Sequence, residues 1–510
     1  MVQRLIFKNA SIYREDLSLK KVNLVVEDDK IVSIGAEDSH VQGRVIECDG
    51  MTIAKPFCDY HFHLPGSLLY DLFGVNLSEC TTPEAYAEAL KRSRNTDKIV
   101  RAFGWEVEPL RQYFENADKT PLQLIDELFP DKPAIIFSLD FHSCWCNSVA
   151  LKMLQDDGIF CDFQDGEIPG GAECILHEKI AERIFQSKSL QFSESEIKTA
   201  ILCQQEKLLA LGITEIYSLM FIGASFSSVM NGLKSLDDEG LLCMSVHFAL
   251  TVNPTDSIAE VKREIQRCFS YESKHLMFAT VKIYMDGVID NHSAFLLEPY
   301  ADLAECGKGL WTQAQLKKLI CCASEFDLPL HIHAIGDAAV ERCACALSQY
   351  GQPKRGRHIV AHVQLCSEST AEKLAQSGVV ACMQPFWFER GEQAIAVDIA
   401  RLGARVACQY PVKTLLKKGV KVLFSSDCPA SVSFDPILGM QIASSADDQE
   451  RISVEDAYKA YYAGSYHEEG ITLNEGDRAT FILLSGDMLK NSSVRVIATV
   501  VDGKIEYQTI

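Results

Sequence analysis

The chain has 510 residues, 47% of them hydrophobic and 23% charged, which excludes a disordered chain and leaves room for a large core plus a second domain. Its 70 acidic against 49 basic residues give a formal charge of -21, at odds with the positive surface that a nucleic-acid backbone or an anionic membrane demands. Nineteen cysteines lie in apolar runs such as LICCASEF and CACAL, with no Cys-x-x-Cys pair, no cleavable secretory segment and no apolar run of membrane-spanning length. They are therefore expected to be reduced, mostly buried residues of a soluble cytoplasmic protein.

The chain opens with RLIFKNASIYREDLSLKKVNLVVEDDKIVSIG, which reads as short strands with a hairpin around Asp28, Asp29 and Lys30. The same rhythm returns at the far end, where GDRATFILLSGDMLKNSSVRVIATVVDGKIEYQTI alternates about a turn at Asp502 to Lys504. Neither segment can bury a face alone, so residues 1–56 and 471–510 are expected to form one small composite β-sandwich. Between them, eight apolar runs alternate with helical patterns: MTIAKPFCDYH, AIIFSLD, GITEIYS, FATVKIY, LPLHIH, RHIVAH, VVACMQ and GVKVLFSSD. Eight strand and helix units predict an α/β fold, a (β/α)8 TIM-like barrel over 57–470 with its functional residues at the C-terminal strand ends. An open doubly wound sheet fits less well, because no glycine-rich phosphate loop follows the first strand. The excursion 68–130, with GWEVEP inside it, exceeds one crossover helix and is expected to cap the barrel mouth.

The stretch PFCDYHFHLPG sets Asp59, His61 and His63 two residues apart, so extended backbone turns His61 and His63 to one face. Taken alone the pair could equally bond to backbone or water. However, His333, His362 and Asp427 end the fifth, sixth and eighth predicted strands. Imidazole nitrogens donate to zinc at about 2.0 Å, and a carboxylate adds negative charge while a position stays open for water. Asp427 could also take a proton from that water and return it to a leaving amine, or it could simply be a helix cap before CPASVSFDP. Lys282, in FATVKIYMDG, could snorkel from the core. If its amine faces the mouth, nearby cations favour the neutral form, and carboxylation would make it an anionic bridge between two metals.

These segments carry a resemblance. DYHFHL, FHSCWCNSVAL, GITEIYS, VKIYMDGVIDNHSAFLLEPYAD, HIHAIGDAAV, HIVAHVQL, VVACMQPFW and LFSSDCPASVSFDP follow in order, and the chain resembles the amidohydrolase superfamily, in particular its YtcJ-like or amidohydrolase-3 branch, which includes N-substituted formamide deformylase. The resemblance implies a metal-dependent barrel with a composite β-sandwich that hydrolyses non-peptide carbon–nitrogen bonds in a small molecule, here an N-substituted amide or formamide. It implies one or two zinc ions held by His61 and His63, carboxylated Lys282, His333, His362 and Asp427, the last also shuttling protons. It suggests Asp140, His142 and Trp145 beside the substrate at the second strand end. Separately, a cap over the barrel mouth would exclude water and add selective apolar contacts, with Trp105 expected as one of them. Trp145 and Trp105 could instead serve the cap's own core. Phe386 and Trp387 suit either an apolar wall or a buried cluster, and Asp337 is expected to organise the His333 loop. Neither nucleic acid nor membrane is expected as a partner, and a homodimer is compatible with these features.

The chain departs from the family pattern at Tyr217 and Ser218, where histidine and aspartate are common, at Ala361, where glutamate is common, and at Tyr60, where a small residue is usual. Two other readings stay open: a deaminase of a small cyclic compound, and a non-catalytic metal-binding descendant. AIGDAA after His333, lacking the glutamate that such deaminases carry, counts against the first.

Overall fold

The computed structural model describes residues 4–35, 43–92, 98–106, 110, 119–139, 141, 143–160, 174–177, 179–221, 223–389, 391–431, 433–445 and 450–509. The chain forms two units, Met1–Phe62 with Gln205–Met220 and Leu242–Ile510, and His63–Gln204 with Phe221–Leu241.

In the first unit eight short strands pair in parallel, in chain order: β1 (Phe57–Phe62), β2 (Ile213–Ser218), β3 (Ser245–Thr251), β4 (Leu276–Tyr284), β5 (Leu330–Ala334), β6 (Ile359–His362), β7 (Val380–Met383) and β8 (Lys421–Phe424). Beyond the strand ends, Asp427 N–H donates to the His61 carbonyl at 2.8 Å, tying β8 back to β1 in a nearly closed (β/α)8 barrel. Helices follow the strands from β3 onward, among them Ile258–Phe269, Gln313–Ser324, Asp337–Leu347 and Glu368–Gln376. Ser257 with Glu260 and Thr312 with Gln315 close capping boxes that satisfy the first free N–H groups of two of these helices. Side chains including Cys58, Tyr217, Ala249, Ala361, Cys382 and Leu423 pack together in one buried cluster.

The membership of the barrel corrects one expectation. The run AIIFSLD, expected as the second barrel strand, supplies Ala134–Ser138 to a different sheet, whereas β3, SVHFALT, is a barrel strand that the eight runs omitted. Both are short, buried, apolar segments, and periodicity does not say which sheet such a strand joins. GITEIYS is consequently the second strand and not the third.

A second sheet in the same unit draws on both ends of the chain. Its order is 504–508, 496–501, 481–484, 52–54, 4–13, 19–27 and 30–35, with 44–47 pairing alongside 4–13. Phe7, Leu24, Ile53, Phe481 and Val500 are among its core. Two tight hairpins turn at Asp28–Asp29 and Asp502–Gly503. Asp502 and Gly503 both adopt positive φ, 48° and 75°, the conformation that a two-residue turn of primed type requires. Gly503 is needed twice over, since a Cβ there would lie 1.6 Å from the Asp28 carbonyl oxygen.

The second unit holds a five-stranded sheet ordered 175–177, 143–146, 134–138, 100–105 and 75–76, and the 68–130 segment lies within this unit. Trp105, Trp145, Tyr86, Ile125 and Ile136 are part of its core. Among the described residues no helix is long and apolar enough to cross a membrane, and the described cysteines are free thiols.

Candidate active site

Parallel pairing aligns the chemistry-bearing residues of neighbouring strands. Lys282 stands opposite His331, Tyr284 opposite His333, His333 opposite Ala361, and Ala361 opposite Cys382. These side chains therefore share one face of the sheet. His61 lies at the end of β1, His333 and His362 at the ends of β5 and β6, and Asp427 three residues past β8. All of these sit at C-terminal strand ends, where barrels of this type carry their function.

The closest approaches centre on His61. Its Nε2 lies 3.2 Å from Asp427 Oδ1 and 3.3 Å from Lys282 Nζ, while its Nδ1 lies 3.1 Å from His331 Nε2. The ring of His362 is 4.9 Å from that of His61 and 4.5 Å from that of His333. Lys282 is completely buried, and His61, His333, His362 and Asp427 are at most 6% exposed. His63 is buried too, at the first position of the second unit, two residues along the chain from His61.

Several side chains hold this arrangement. Asp59 accepts the backbone N–H of His61 at 3.1 Å and that of Ser426 at 3.1 Å, which fixes β1 against the loop bearing Asp427. Burial pushes the Asp59 carboxyl up to about 7, opposed by the Ser426 and His61 donors. His362 Nδ1 donates to Gln384 Oε1 at 2.9 Å, and Gln384 in turn donates to Ser425 Oγ at 2.8 Å. Trp387 stacks on His362 with centroids 5.0 Å apart, and its indole N–H donates to Ser431 Oγ. Burial first, then His333 and Lys282, holds the His362 imidazole well below its ordinary range, which favours the uncharged ring that can offer a lone pair. Asp286, just past β4, accepts the N–H groups of Phe295, Ile335 and Gly336 and lies 3.9 Å from His333 Nε2. Asp337 opens helix Asp337–Leu347 and accepts the Leu297 N–H at 2.9 Å. His362 and Asp427 have positive φ, 73° and 60°, strained values of a kind that gather at functional sites.

His61, Lys282, His333, His362 and Asp427 are thus gathered in one buried cluster. Asp140 and His142 lie outside the described residues. Trp105 and Trp145 are fully buried in the core of the second unit, where their indole N–H groups donate to the carbonyls of Ile136 and Pro121. The expectation of a second-strand site for Trp145 is corrected, since its strand, Ser143–Cys146, is not in the barrel. Sequence reasoning did not single out His331, Asp286 or Gln384, and it left Asp59 without a role. The same two-residue spacing that marks His61 and His63 also marks Asp59 with His61 and His331 with His333. A cavity of about 510 Å³, lined by Thr214, Glu215 and His247 among others, lies at the opposite, N-terminal ends of β2 and β3 and is separate from this cluster.

The donor set suits a divalent ion: imidazoles, a carboxylate and a buried amine that a second cation nearby would drive to an uncharged or carbamate form. His61, His331 and Cys382 also bring one ligand atom each within 4.8 Å of one another.

Residues 44–507 match the family model described as Amidohydrolase family. The chain is 26% identical over 500 residues to the putative amidohydrolase YtcJ of Bacillus subtilis (strain 168), covering 91% of this chain and 90% of that protein. It is 21% identical over 540 residues to the N-substituted formamide deformylase of Arthrobacter pascens, covering 95% and 94%. Among solved structures, an uncharacterized metal-dependent hydrolase of Pyrococcus horikoshii OT3 superposes with a TM-score of 0.76 at 23% identity, covering 99% of this chain and all of that one. A match over nearly the whole chain, on a barrel with a histidine, lysine and aspartate cluster at its C-terminal strand ends, means that this chain belongs to the amidohydrolase family of hydrolytic enzymes acting on carbon–nitrogen bonds.

Proposed function

We propose that the chain hydrolyses a non-peptide carbon–nitrogen bond in a small neutral molecule, an N-substituted amide or formamide. The ligand set proposed for one or two zinc ions is His61, His63, His333, His362, Asp427 and Lys282 as a carbamate. The observation that carries this reading is the convergence of Asp427 Oδ1 and Lys282 Nζ, 3.2 and 3.3 Å away, on the same nitrogen of His61. A lysine buried this fully beside histidines would oppose a metal as an ammonium, and as a carbamate it would attract one. When bound, a divalent metal supplies Lewis acidity that polarises the carbonyl and lowers the pKa of water.

The remaining steps belong to the chain. Gln384 and Trp387 hold the His362 ring by hydrogen bond and stacking, and Asp59 holds the loop carrying Asp427. Asp427 takes a proton from the attacking water and delivers it to the leaving nitrogen as the new C–O bond forms and the C–N bond breaks. The products are a carboxylic acid, formate in the case of a formamide, and an amine. The similarity to an N-substituted formamide deformylase supports formamides as the first substrates to try. Deamination is the weaker reading, because the only carboxylate in AIGDAA, that of Asp337, accepts the Leu297 N–H at a helix start.

Protein purified without chelators should contain zinc or a similar divalent ion and release amine and formate from N-substituted formamides. Ammonia release from purines or pyrimidines, with no amide or formamide cleaved by the metal-replete protein, would reverse the assignment.

A further inference from the structure

We propose that His331 is a positioning residue that holds His61 in the tautomer with its proton on Nδ1 and its lone pair on Nε2. The inference rests on the reading of His61 as a metal ligand. His331 is not one of the proposed ligands, and it lies two residues before His333 on β5, opposite Lys282 in the β4–β5 ladder. Its Nε2 faces His61 Nδ1 at 3.1 Å, with the ring planes 80° apart and the centroids 4.9 Å apart.

The two nitrogens of His61 face different surroundings. Nδ1 meets His331, and Nε2 meets Asp427 and Lys282. A neutral imidazole carries one N–H. If His331 accepts, His61 keeps its proton on Nδ1 and turns the Nε2 lone pair toward Asp427 and Lys282, as ligation requires. If His331 donates, His61 carries its proton on Nε2 and presents N–H to the Asp427 carboxylate, where it cannot ligate. The tautomer of one ring thus sets that of the other, and neither ring is open to bulk water, with His331 0% and His61 1% exposed. Ligating histidines are commonly oriented in this way through their second nitrogen, usually by a carboxylate or carbonyl. Here a second imidazole takes that place, supplied by the HIH spacing in LPLHIHAIGD.

The test compares zinc affinity, by chelator competition on full-length folded protein, for wild type, His331→Leu, His331→Gln and His61→Ala. His331→Leu should lose about 10- to 100-fold in affinity. His331→Gln should recover most of it, because a glutamine amide oxygen can accept the same N–H. With ¹⁵N-labelled histidine, the zinc-loaded wild type should show an exchange-protected Nδ1–H that disappears in His61→Ala. Wild-type affinity in folded His331→Leu, or a His61 proton on Nε2 in the loaded protein, overturns the positioning role. His331→Gln binding no better than His331→Leu also overturns it. If His331→Leu fails to fold, His331→Gln and the proton assignment still decide. Unchanged zinc affinity in His61→Ala instead overturns the ligand reading on which this role depends, so the two failures are distinguishable.

Discussion

Asp427 combines three features in one residue: a carboxylate 3.2 Å from His61, a backbone N–H bonded to the His61 carbonyl, and a positive φ. Asparagine tolerates the same backbone region and keeps the side-chain shape, but its amide cannot take a proton from water. Asp427→Asn should therefore fold normally and lose about 10²- to 10⁴-fold in turnover, a loss larger than any fall in metal content, as read by kcat against metal per chain. His358 offers a separate test of buried imidazole chemistry, away from the proposed ligands. Its Nδ1 accepts the Leu330 N–H at 3.0 Å, it is fully buried, and burial pulls its pKa down to about 4 from an unfolded value near 6.5. Between those values the unfolded chain binds a proton that the folded chain does not, so stability falls as pH drops from about 6.5 toward 4. His358→Gln removes that difference, and its urea stability should depend on pH less steeply than wild type, by up to about 1.4 kcal/mol per pH unit across the window. Parallel curves would contradict the assignment.

Elements were easier to find in the sequence than to assign to sheets. The hairpins at Asp28–Asp29 and Asp502–Gly503 were legible because turn residues interrupt alternating apolar runs. The strand ends bearing His333, His362 and Asp427 were legible because a polar residue closes each short apolar run. By contrast, Ala134–Ser138 and β3 carry the same local signal, and only long-range pairing separates the five-stranded sheet from the barrel. Gly503→Ala should destabilise by at least about 1 kcal/mol in urea titration, because both its φ and the Asp28 carbonyl exclude a Cβ. Gly476 is the control: its φ is also positive, at 92°, but a Cβ there would meet nothing within 4 Å, so Gly476→Ala should cost less. In the second unit, Trp105→Ala should cost about 3–5 kcal/mol by emptying a fully buried core position. Metal content of the folded fraction should not change, whereas loss of metal would tie Trp105 to the site.

At the scale of the whole chain, the ligand candidates lie far apart in sequence, from His61 to Asp427, and the barrel's parallel pairing is what brings them together. That convergence was readable as a pattern of strand ends. The supporting set, Asp59, Asp286, His331 and Gln384, was not, because a buried polar residue looks the same in sequence whether it orients a ligand or caps a loop. Whether the cluster around His61 is a metal centre is decided by a crystal structure of protein purified without chelators, with anomalous data at the zinc edge. One or two anomalous peaks are expected at about 2.0–2.2 Å from the proposed ligand atoms, one of them at His61 Nε2, with Lys282 extended by a carbamate where two ions are present. A metal-replete, active crystal with its ion elsewhere in the chain and none within ligating distance of His61 Nε2 would contradict it.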